Sequence, residues 1–161
     1  MLDSVLPTGV QHLQNVHPLV VHFPLAFLTG AALLYLLAGL AGRESWAWTA
    51  LWLLGLGTMS AAVAVATGLY AEPGVMIARS VRAELLEPHK RLMLATFALS
   101  TVLSLWAVAD RPIPTKGRLI FLLLLLLFLA GMTWGADYGG RLVYDNNAGG
   151  NACHQPIEFT Q

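Results

Sequence analysis

GRLIFLLLLLLFLAGMTWGAD, residues 117–137, decides the solvent for which this chain is built. Between Arg118 and Asp137 it carries no charge, and the six consecutive leucines at 122–127 leave no polar side to a helix. Roughly 18–20 such residues cross about 30 Å of hydrocarbon as a helix. Stretches at about 18–40, 46–70 and 90–109 approach or exceed the same length. Backbone polar groups in hydrocarbon must be satisfied within their own segment, so these stretches are helices and not open strands. The fold class that follows is an all-α membrane protein, four transmembrane helices in an up-down-up-down bundle.

Composition agrees. The 161 residues are 57% hydrophobic and 11% charged, against about 25% charged for a soluble domain. Nine cations balance nine carboxylates, so neither a nucleic-acid partner nor an acidic solvating tail is indicated. The single cysteine, Cys153, excludes an intrachain disulfide and leaves the redox compartment open. The N-terminus has no Lys or Arg before its first apolar run and no small-residue cleavage site, and it is not read as a signal peptide.

The breaks between the stretches set the topology. Gly42-Arg43-Glu44-Ser45 and Asp110-Arg111-Pro112-Ile113-Pro114 are connections of a few residues, so spans 1/2 and 3/4 form antiparallel hairpins. The longer link, 71–89, holds VMIARSVRAELLEPHK, which predicts a short amphipathic helix at the membrane surface. Residues 1–137 form the transmembrane domain, and 138–161 form an irregular Gly/Asn-rich tail. Pro24, inside the first stretch, frees the carbonyl of Val20 and predicts a kink. Trp46, Trp48, Trp106 and Trp134 fall near expected interfaces. Arg43, Arg111, Lys116 and Arg118 are concentrated in the two short loops, whereas the other five cations are spread over the link and tail. Short-loop cations favour the cytoplasm, which predicts both termini outside it.

Histidine is the informative residue. His12, His17, His22, His89 and His154 all fall at one side of the membrane in this topology, and ligating groups in membrane helices are usually functional. His22 lies inside span 1 and His89 opens span 3, its diagonal partner at an expected separation of roughly 11–14 Å. That spacing suits a flat macrocycle between two imidazoles, a bis-His b-type haem (heme b), with His22 and His89 as the metal ligands. His17 stands five positions before His22, about 140° round a regular helix, so both cannot face one iron. His17 before Pro18 reads first as a helix-start residue and second as an alternative ligand; His12 reads as a surface residue. A stripe of small residues on span 2, Gly57, Ala61, Ala64 and Gly68, approaches the histidine level. It serves ordinary close helix packing as well as it serves a cofactor. Arg91 and Lys90, beside His89, suit haem propionates or headgroup anchoring. Cys153-His154 resembles half of a c-type haem attachment sequence, with Gly150 where its other cysteine is needed. No phosphate-binding loop or set of catalytic residues is apparent.

His17-Pro18-Leu19-Val20-Val21-His22-Phe23-Pro24, together with Glu87-Pro88-His89-Lys90-Arg91 and Gly139-Gly140-Arg141-Leu142-Val143-Tyr144, resembles a family of small bacterial four-helix membrane proteins catalogued as a domain of unknown function. The resemblance covers roughly residues 15–145. It implies a four-helix membrane domain, encoded beside or fused to cytochrome-like modules and expected to hold haem. Members end soon after the Leu-Val-Tyr element in a short Gly-Val-rich segment, from which residues 145–154 of this chain depart.

The function these residues predict is electron transfer through a membrane-embedded haem, with a quinol or redox protein as partner, in a possible oligomer or larger complex. Two rivals stand beside it. One is a cofactor-free structural or anchor subunit; the other is a transient metal-handling protein using His17, His22, His89 and Cys153.

Overall fold

The computed structural model describes residues 16–148. Four helical segments long and apolar enough to cross a membrane account for nearly all of them: span 1 (His17–Ala41), span 2 (Glu44–Gly74), span 3 (Arg79–Ala109) and span 4 (Arg118–Tyr144). Each span packs on its neighbour in sequence and span 4 closes back on span 1, so spans 1 and 3 are diagonal partners. Gly42, at φ 64°, and Gly117, at φ 78°, turn the backbone at the two short loops, in a conformation that glycine adopts without steric cost.

The core is narrow, as expected where lipid covers the outer faces. Ala31, Ala32, Tyr35, Leu54, Leu103, Phe121, Leu125 and Phe128 are its centre. Tyr35 and Trp106 meet Phe121 edge-to-face at centroid distances of 5.1 and 5.7 Å. Gly57 lets span 2 close on span 1: a Cβ there would lie 2.6 Å from the Leu28 side chain. Across spans 2 and 3 the hydroxyls of Thr58 and Ser104 meet at 2.9 Å, a contact of roughly 0.6 kcal/mol in a membrane interior.

Three boundaries differ from the sequence expectations. Span 1 is interrupted at Val21, three residues before Pro24, which divides it into His17–Val20 and His22–Ala41. The link helix is no separate surface element. It runs from Arg79 into span 3 through a π-turn at Arg82–Leu86, where the Glu87 N–H reaches the Arg82 carbonyl. Pro88, which has no N–H to give the helix, follows immediately, and a wider turn accommodates that loss. Span 4 continues two turns beyond the expected end at 137, to Tyr144. Leu142 there is buried against Leu85 and Leu86 of the link, with Tyr138 and Val81 packed round them. Leu85 and Leu86 of the link are thus covered by protein, and residues 138–144, expected in the irregular tail, are helical. The chain ends the helix where the Asn146 side chain and the Ala148 N–H take the carbonyls of Arg141 and Leu142.

Candidate cofactor site

His17 stands in the first turn of span 1, and His89 follows the π-turn and Pro88 within span 3. Nδ1 of His89 donates to the carbonyl of Gly135 on span 4 at 2.7 Å. A carbonyl can only accept, so the proton of this ring is on Nδ1. On the other hairpin, Nδ1 of His17 lies 3.1 Å from the Thr67 hydroxyl on span 2. That hydroxyl also reaches the Ala64 carbonyl at 3.0 Å, so Thr67 ties His17 to the backbone of span 2. In His89 the basic lone pair is then on Nε2.

Both rings rest on glycine. A Cβ at Gly68 would stand 2.9 Å from Cε1 of His17, and a Cβ at Gly139 would stand 2.9 Å from Cε1 of His89. Each hairpin therefore supplies the same three parts: an imidazole on its first span, a hydrogen-bond partner for Nδ1 on its second, and a glycine that lets the ring lie against the helix.

The two rings line one cavity of about 360 Å³ at this end of the bundle, within the roughly 300–1,000 Å³ of ligand sites. Its wall is mostly apolar, including Leu25, Leu28, Ala64, Met93, Phe97 and Phe128, with Gly68 and Gly139 beside the rings. The charged residues in its lining are Glu72 and Lys90. The Lys90 ammonium donates to Glu72 at 2.7 Å and to Glu87 at 3.2 Å, and Arg82 stands 3.9 Å from Glu72. These contacts tie the first turns of span 3, and with them His89, to the end of span 2.

The expected residues are distributed unevenly. His89, His17, Gly68, Ala64 and Lys90 all line the cavity. His22 lines it as well, but is exposed, and its Nδ1 turns back to the Leu19 carbonyl at 3.3 Å. Of the two imidazoles about 140° apart on span 1, His17 meets Thr67 and Gly68 on span 2 and His22 is exposed. Arg91 is exposed and is not part of the lining. His12, Cys153 and His154 lie outside the described residues. Among the described residues no three of His, Cys, Asp or Glu are grouped to hold a metal ion. Thr67 and Gly135 carry no sequence signal of their own, and Gly139 enters the sequence analysis only through the Gly139–Tyr144 element; the spacing of four between Gly135 and Gly139 is the signal that joins the two.

The pattern of the family described as "Predicted membrane protein (DUF2231)" matches residues 13–152. The chain belongs to that family. Every part of the site just described lies inside the region that matches DUF2231. No curated protein and no solved structure matches the chain.

Proposed function

We propose that this DUF2231 protein is a b-type haem electron-transfer protein or subunit of the bacterial inner membrane, with His17 and His89 as the axial pair. The observation that carries the reading is the duplicated arrangement of the two rings. Each comes from one of two diagonal spans, is hydrogen-bonded at Nδ1 to the neighbouring helix, and lines the same apolar cavity. Ligating histidines characteristically have their second nitrogen fixed in this way.

The donor set also selects the kind of metal. Two imidazoles fall short of the four ligands of a closed protein site, but they complete an iron whose equatorial positions are filled by a macrocycle. Such an iron, when bound, supplies a one-electron carrier. The chain's residues orient the imidazoles and line the cavity with an apolar wall. His22, exposed and bonded within its own turn, is the alternative partner for His89. The redox partner is a quinol or a protein on the histidine-bearing side, and the short-loop cations support an orientation with that side outside the cytoplasm.

The test is the absorbance of the purified full chain, expressed with adequate haem supply, before and after dithionite. A Soret band with sharp reduced α and β bands and one haem per chain is expected. Its absence moves the reading to a structural subunit, in which both histidines join helices.

A further inference from the structure

The opposite end of the bundle holds a second, differently made cavity of about 310 Å³, lined by Arg43, Arg111, Arg118, Thr115 and Glu44 over a floor that includes Ile113. We propose that it binds the phosphate of an anionic phospholipid of the phosphatidylglycerol type.

Four observations carry this, independently of the haem reading. First, none of the three guanidinium groups is in an ion pair among the described residues. Arg43 lies over the Trp46 ring at 5.4 Å and Arg111 Nε donates to the Val108 carbonyl at 3.1 Å, so two of them are held in place while their charge is unmatched. Glu44 is the one carboxylate in the lining, and it accepts from Trp48 Nε1 at 3.3 Å. Second, the loop carrying Arg111 is anchored: buried Tyr35 donates to the Pro112 carbonyl at 3.0 Å, and Asp110 accepts from the Thr115 N–H at 2.7 Å and its hydroxyl at 3.0 Å. That second contact keeps the Asp110 carboxylate occupied within the loop. Third, spans 2 and 4 both begin here without a side-chain cap, so first-turn N–H groups add positive potential. Fourth, the cavity lies where spans leave the hydrocarbon, beside exposed Leu40, Leu119 and Ile120, at 87%, 70% and 58% exposure. Those side chains, close in sequence to Gly42 and Arg118, offer acyl chains apolar surface that a free phosphate would not use.

Native mass spectrometry of the detergent-solubilised full chain, titrated with phosphatidylglycerol or phosphatidylcholine, tests the assignment. Phosphatidylglycerol should be retained preferentially, at one per chain. Arg43→Gln, Arg111→Gln and Arg118→Gln should each weaken retention about fivefold. Lys116→Gln removes the same charge from the same loop but not from the cavity lining, and should leave retention within twofold. All four side chains are exposed, so the single variants carry the test even if a triple variant does not express. Equal retention of the two lipids overturns the proposal, as does a Lys116→Gln loss equal to the arginine losses, which would mean diffuse loop charge. Displacement of the lipid by equimolar inorganic phosphate would also overturn it, because the site would then recognise free phosphate.

Discussion

The His89 ring lies against Gly139 so closely that a methyl group on that glycine would stand 2.9 Å from Cε1. His89 is therefore placed by span 4 as much as by its own helix, through the Gly135 carbonyl on one side and the bare backbone of Gly139 on the other.

Gly139→Ala is expected to push the ring away from its hydrogen bond. Overpacking of this kind costs about 1–3 kcal/mol, readable as a lower thermal midpoint, and any haem spectrum should broaden or weaken. Gly68→Ala should act in the same way on His17. An unchanged spectrum in both would show that the rings are not held by these contacts.

Thr67→Val retains shape but removes the hydrogen-bond partner of His17 Nδ1. Loss of such a supporting partner typically lowers metal affinity 10–100-fold. A haem titration of apoprotein should show this weakening while circular dichroism and the thermal midpoint change little.

Gly57→Ala should destabilise the first hairpin by about 1–3 kcal/mol, because the new methyl would meet Leu28 at 2.6 Å. Gly55→Ala is the matched control, with nothing within 4 Å of its added carbon. It should be neutral, or stabilising by up to about 1 kcal/mol from helix propensity. Equal unfolding midpoints for the two variants would contradict the close approach of spans 1 and 2.

The loop at 110–117 should be acid-sensitive. The Thr115 N–H and hydroxyl, donating to Asp110, hold its carboxyl below the usual carboxylate value, with Lys116 adding to the effect. A depressed carboxyl stabilises the fold above its unfolded value of about 3.9, and the contribution is lost as pH falls through the lower folded value. The thermal midpoint of wild type should therefore fall in acid more steeply than that of Asp110→Asn, which has no such group to protonate. Parallel acid limbs for the two proteins would remove Asp110 from the account.

The spans and their order were legible because lipid imposes length and composition on each segment separately, and residues 117–137 needed no partner to be read. The ends were less legible because tertiary contacts set them. Burial of Leu142 on Leu85 and Leu86 carries span 4 past two glycines, and the same contact absorbs the link into the bundle. His89 was visible from sequence as a span-opening imidazole. His17 and His22 stand about 140° apart on a helix, and periodicity alone does not say which of them meets span 2; the contacts of His17 with Thr67 and Gly68 do. Gly135 acts through its carbonyl, which no side-chain pattern announces.

The most direct measurement of the central claim is the dithionite-reduced spectrum and haem stoichiometry of His17→Ala, His22→Ala and His89→Ala at matched expression. His17→Ala and His89→Ala should each lose the low-spin signature, with Met93, a turn beyond His89 and in the cavity wall, able to leave at most a weakened His/Met species in the second. His22→Ala should keep both spectrum and stoichiometry. Loss of the spectrum in His22→Ala with retention in His17→Ala would exchange the axial assignment, and retention in all three would contradict the paired-imidazole site altogether.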